Sequence, residues 1–109
     1  MLTEKELREN RKLFNGNDAH IVSMFKALNE INRYRILCIL TKNPNLSVGD
    51  IAEILNISLS LASQHIKVLT QCRLLQKVRA GKKVMSQLEQ DNPFVQAIVQ
   101  VIQHAQKMT

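Results

Sequence analysis

The apolar positions of this chain recur mostly three and four apart, the spacing that places them on one face of a helix. Thr3 to Phe14 reads as a charged helix, with Thr3 as N-cap and Glu6 completing a capping box. Asn15-Gly16-Asn17 is placed to stop it, since Gly and Asn tolerate the left-handed conformation at helix ends. A second helix is expected over Asp18 to Leu28, with Ile21, Val22, Phe25 and Leu28 on one face. A third, from Ile31 to Thr41, carries Ile36, Leu37, Ile39 and Leu40 so densely that it should be central, and Asn43-Pro44-Asn45 ends it.

The next stretch, LSVGDIAEILNISLSLASQHIKVLTQC, contains two helices in close succession. Ser47 can cap a short helix bearing Ile51, Ala52, Ile54 and Leu55, and Asn56 suits its left-handed end. Ser58 then caps another. Helices joined by so tight a turn must cross steeply, which is a helix-turn-helix. In the second of them Ala62, Ile66 and Leu69 form one buried stripe at i, i+4 and i+7. Ser60, Ser63, Gln64 and Lys67 project elsewhere. A helix whose outer face merely met water would favour Glu, Lys and Ala there, so these short hydrogen-bonding side chains need another reason.

Beyond Cys72 the period changes. Leu74 to Arg79 and Val84 to Leu88 flank Ala80-Gly81-Lys82-Lys83, which reads as a hairpin with a basic tip. Asn92 and Pro93 open a last helix as N-cap and first-turn proline. Phe94, Val95, Ile98, Val101, Ile102 and Ala105 give that helix a wide apolar face. A small domain has little core for its first and last helices to cover, so dimerisation is the natural sink for them.

Composition agrees with one globular, mainly helical unit: 109 residues, three glycines, two prolines and 45% hydrophobic residues. No apolar run approaches the ~18 residues of a membrane span. The N-terminal MLTEKELRENRKL lacks the apolar core of a signal peptide, so the cytosol is the expected location. The net charge of +6 is unevenly spread. Residues 71–90 hold Arg73, Lys77, Arg79, Lys82 and Lys83 against Glu89 alone, whereas residues 1–30 balance. A localised basic segment suits a polyanion; the plain alternative is a solvated lysine-rich loop. Cys38 and Cys72 form no C-x-x-C motif and should be free thiols in a reducing compartment.

Taken together, ALNEINRYRILCIL, LSVGDIAEILNIS, LSLASQHIKVL and the hairpin resemble the ArsR/SmtB family of bacterial winged helix-turn-helix repressors, over about residues 20 to 107. The resemblance implies a mainly α fold with a small β-hairpin. The helix-turn-helix would lie at about 47–72, the wing at 74–88, and dimerisation helices at 3–28 and 92–107. It implies a homodimer that places recognition helices in successive major grooves of double-stranded operator DNA. Ser58, Ser60, Leu61, Ser63, Gln64, His65 and Lys67 match the family's recognition helix, and Lys77, Arg79, Lys82 and Lys83 its wing. The chemistry agrees: Gln64 can address an adenine edge, serines can bond bases or phosphates, and the wing cations can neutralise phosphate. His65, beside Ile66, is equally readable as a structural residue. Leu61 can meet a thymine methyl or pack.

The chain departs from the family pattern at several positions. Arg73 stands where Gly usually ends the recognition helix, so a different ending is expected here, and Met85-Ser86 replaces an aromatic pair. The family's cysteine metal site is absent, its place taken by Ser47-Val48-Gly49-Asp50. At a second family site Asp91 and His104 match two ligands, but Pro93 and Lys107 replace the others. Asp91 and His104 would lie about 19 Å apart along one helix. They could share an ion only across a dimer, and zinc normally requires three or four ligands. No cofactor and no metal are therefore expected. Thiol-sensing relatives carry a cysteine at the position of Cys38, but its partner on the last helix is missing here. Cys38 reads first as a small buried apolar residue. Cys72, next to Arg73, is expected to be the more acidic thiol, and its modification would disturb the recognition helix. Cys38 and Cys72 are the candidate thiol sensors.

The expected function is a dimeric, sequence-specific DNA-binding regulator, a repressor released by a signal. The alternative from another class is a winged helix whose basic hairpin grips an acidic protein. No enzyme is expected, because no catalytic constellation can be assembled from three histidines and scattered acids.

Overall fold

The computed structural model describes residues 1–14 and 16–108; Asn15, part of the expected stop after the first helix, lies outside them. Among the described residues there are six helices and one two-stranded sheet: α1 (Glu4–Arg11), α2 (Asp18–Leu28), α3 (Ile31–Lys42), α4 (Val48–Leu55), α5 (Leu59–Gln71), β1 (Leu75–Ala80), β2 (Lys83–Leu88) and α6 (Pro93–Lys107). Local side-chain chemistry starts most of them. The capping boxes Thr3/Glu6 and Ser47/Asp50 are both formed, with reciprocal side-chain to backbone bonds of 2.9–3.1 Å. Asn92 caps α6, accepting from the Phe94 N–H at 2.9 Å, with Pro93 in the first turn.

α1 ends at Arg11, short of the expected Phe14, and buries none of its residues. A charged helix of two turns without tertiary packing has little to extend it. α3 is the central helix. It packs against α2, α4, α5, α6 and β2, with Ile36 and Leu37 fully buried. The core continues through Ile51, Ala62, Leu69, Leu74, Leu75, Val95 and Ile102. A large aliphatic side chain so enclosed contributes roughly 1.5–3 kcal/mol relative to exposure.

The apolar residues of α2 divide between two sides. Met24 and Ala27 enter the core, whereas Ile21, Val22 and Phe25 stay 40%, 50% and 57% exposed. Val101 of α6 is exposed in the same way, and Phe25 meets Phe94 edge to face with centroids 4.9 Å apart. The protein extends 59 × 33 × 23 Å, and its radius of gyration of 17.2 Å exceeds the ~13 Å of a compact chain this long.

Candidate nucleic-acid interface

The turn between α4 and α5 is made by a single left-handed residue, Asn56 (φ 55°, ψ 48°). The N–H groups of Asn56 and Ile57 return to the carbonyls of Glu53 and Ala52, closing α4. Two residues later Ser58 opens α5, its Oγ accepting from the Leu61 N–H at 3.0 Å. That hydroxyl keeps a donor hydrogen free to rotate outward. Ala62, Ile66 and Leu69 are 0–3% exposed, as their spacing predicts, and fix the roll of the helix. On the opposite side Ser60, Gln64, Lys67 and Gln71 form a straight outward stripe at i, i+4, i+7 and i+11, with Ser63 exposed beside it. Leu61 sits at the shoulder of the stripe, 37% exposed.

His65 belongs to the inner side. It is 8% exposed, with Nε2 3.8 Å from a carboxylate oxygen of Glu30, the N-cap residue of α3. Its spacing explains this, because it stands three residues after Ala62 and four before Leu69. The structure thus separates His65 from the outward residues with which the resemblance groups it.

α5 ends in a left-handed residue although that residue is not glycine. Arg73 takes φ +64°. The Arg73 N–H donates to Thr70 O (3.1 Å) and the Leu74 N–H to Leu69 O (2.9 Å). Leu69 and Leu74, both fully buried, complete a Schellman closure. The helix does not end differently for lacking a glycine; an arginine is held in glycine's conformation.

In the hairpin the register pairs Leu75 with Leu88 at the base and Ala80 with Lys83 at the tip. Gly81, first of the two turn residues, has φ +64° as a type II′ turn requires. Burial is graded. Leu75 and Leu88 are 2–3% exposed, whereas Lys77, Arg79, Lys82 and Lys83 are exposed and no acidic residue lies on either strand. The hairpin is also tied down by a contact invisible in the sequence. Leu46 and Ser86 exchange two backbone hydrogen bonds (3.2 and 2.7 Å), so the segment before α4 forms a bridge to β2. Gln87 donates to the side chain of Asn45 alongside. Position 86, read as a departure from the family, is the buried seat of the wing.

Cys72 behaves differently from expectation. Burial pushes the Cys72 thiol up, and the backbone hydrogen bonds and the charge of Arg33 offset this only in part. Cys72 is therefore not the activated thiol that its neighbour Arg73 suggested. The cation that reaches it is Arg33, from α3. Cys38 is half-buried. A side-chain hydrogen bond with Cys38, and then the Coulombic interaction with it, push the Tyr34 phenol up. Among the described residues no three His, Cys, Asp or Glu side chains gather as a metal site, and Asp91 precedes α6 while Asn92 caps it. Among the described residues, no helix is long and apolar enough to cross a membrane.

Asn92 does more than cap. Its Nδ2 donates to Arg73 O at 2.8 Å, joining the end of α5 to the start of α6.

Comparison with known proteins agrees with this geometry. A family model described as winged helix-turn-helix DNA-binding matches residues 29–76. The chain is 28% identical over 89 residues to a cadmium resistance transcriptional regulatory protein CadC homolog of Staphylococcus aureus, covering 82% of this chain and 74% of that one. It is similar in structure to reduced HlyU from Vibrio cholerae, at 30% identity and TM-score 0.71, over 82% of this chain and 90% of that one. It shares its fold with Mb0332 from Mycobacterium bovis, described as a homodimeric winged helix-turn-helix domain of a possible ArsR-family regulator (21% identity, TM-score 0.70, 86% and 87% covered). With the helix-turn-helix, the basic wing and these relatives in agreement, the chain is a winged helix-turn-helix domain similar to bacterial transcriptional regulators, and its resemblance to the ArsR/SmtB family is supported.

Proposed function

We propose that the chain acts as a homodimer that binds a palindromic operator in double-stranded DNA and represses transcription until a signal releases it. The observation that carries this reading is the outward stripe of α5, Ser60, Gln64 and Lys67, on a helix held rigidly by three buried residues beside an acid-free wing. Gln64 offers the paired donor and acceptor that match an adenine edge, and Ser60 and Ser63 can bond bases or phosphates. Ser58 and Leu61 stand at the helix entrance, where base edges are met first. Lys67, Lys77, Arg79, Lys82 and Lys83 supply charge for phosphates, which gives affinity without sequence choice. The exposed apolar surface of α2 and α6 supports the dimer, since Ile21, Val22, Phe25 and Val101 need a partner. Seated on an operator that overlaps a promoter, such a dimer excludes polymerase.

Titration against duplexes from the chain's own promoter region, with random duplex as competitor, tests the proposal. Binding should be steeply salt-dependent and strongly prefer one palindrome. Gln64→Ala should relax base preference by about 1–3 kcal/mol, while Lys82→Ala and Lys83→Ala weaken all sequences equally. Salt-dependent binding with no preference among duplexes would instead favour an acidic protein partner. Repeating the footprint with metals and thiol oxidants tests release.

A further inference from the structure

The outward stripe of α5 continues past Lys67 to Gln71, and there it meets a groove of about 420 Å³. His20, Ser23 and Lys26 of α2, Arg33 of α3, and Val68 and Gln71 of α5 line it, and no carboxylate does. Lys26 and His20 are exposed. Arg33 is anchored: its Nε donates to Ala27 O at 2.5 Å, and its charge is felt at the Cys72 thiol. Anchoring through one corner of the guanidinium holds the rest of the fork at the groove without further ordering. The neighbouring acid, Glu30, is engaged elsewhere, accepting from the Arg33 N–H at 2.9 Å and facing His65 at 3.8 Å.

α5 has 13 residues and so spans about 20 Å, more than the ~12 Å width of a major groove. If its first turns meet base edges, its last turn emerges where the sugar-phosphate backbone borders the groove. A concave, acid-free surface offering Lys, Arg and His donors at that point has the chemistry of a phosphate site. We infer that Lys26, Arg33 and His20 form a second DNA-backbone clamp, separate from the wing, that grips the strand bordering the occupied major groove. This rests on the DNA-binding reading above.

The test measures affinity of Lys26→Ala and Lys26→Glu for the preferred palindrome and for random duplex across a salt series, with Lys107→Ala as a matched loss of charge and Lys82→Ala as a wing comparison. Both Lys26 variants should bind the two duplexes more weakly by the same factor, Lys26→Glu more so. The slope of log affinity against log salt should become shallower by about 0.9 for each phosphate contact removed, with Lys107→Ala keeping the wild-type slope. Wild-type affinity and slope in both Lys26 variants, with Lys82→Ala impaired, would overturn the clamp and leave the DNA-binding reading standing. A wild-type protein that binds no duplex would overturn both.

Discussion

Replacing Arg73 by glycine should make the protein more stable, although it deletes a long side chain. Arg73 sits at φ +64°, where a residue with a Cβ is strained. For an L-residue the left-handed conformation costs roughly 1–2 kcal/mol. Glycine removes that strain but adds backbone freedom to the unfolded chain, a loss of roughly 0.5–1 kcal/mol. The net gain is about 0.5–1 kcal/mol. The closure should otherwise persist, because the hydrogen bonds to Thr70 O and Leu69 O use backbone only, and Leu74 stays buried. Urea denaturation at fixed protein concentration measures the difference, the concentration being fixed because dimerisation would shift the midpoint. Arg73→Ala is the decisive companion. It removes the same side chain but keeps the Cβ, so it should show no such gain. Equal stabilisation by alanine and glycine would mean that the benefit comes from losing the arginine side chain. A destabilised Arg73→Gly would show that the arginine makes contacts worth more than its strain. Either result would refute the backbone reasoning.

Cys72 should react with iodoacetamide at pH 7.5 more slowly than a free thiol, because burial raises its pKa above the ordinary 9.0. The fold favours the protonated thiol, so this contribution to stability is full below about pH 9 and fades as pH rises through the folded-state value; a smaller alkaline decline in Cys72→Ala checks it. Phe25→Glu should shift a dimer to monomer in light scattering while the protomer stays folded. Phe25 is 57% exposed, and the loss within the protomer is mainly its edge contact with Phe94, about 0.5–1.5 kcal/mol.

Features carried by neighbouring residues could be read in advance. Thr3, Ser47, Ser58 and Asn92 all cap as their local sequence indicates, because a cap is chemistry within three or four residues. The buried stripe of α5 was legible from period alone, and period also put His65 within reach of it. What held that reading open was residue type, which is settled only by Glu30, 35 positions earlier in the chain. Cys72 shows the same limit. Arg73 adjoins it in sequence, yet the charge that reaches it comes from Arg33 on another helix. The Leu46–Ser86 bridge is a single non-local pairing with no periodicity to announce it. The groove at the end of α5 joins three helices, so no one segment carries its signature.

The side chain at position 92 has a consequence for which residues can stand there. Aspartate, serine and threonine are all good starts for a helix, and any of them could receive the Phe94 N–H. An ionised aspartate, however, has no hydrogen to give, and a hydroxyl is shorter than an amide. Only asparagine carries an acceptor for α6 and, on the same rigid plane, a donor for the carbonyl of Arg73. The helix proposed to read DNA and the helix proposed to join two subunits thus hang on opposite ends of one amide group, and neither can tilt far without pulling on the other.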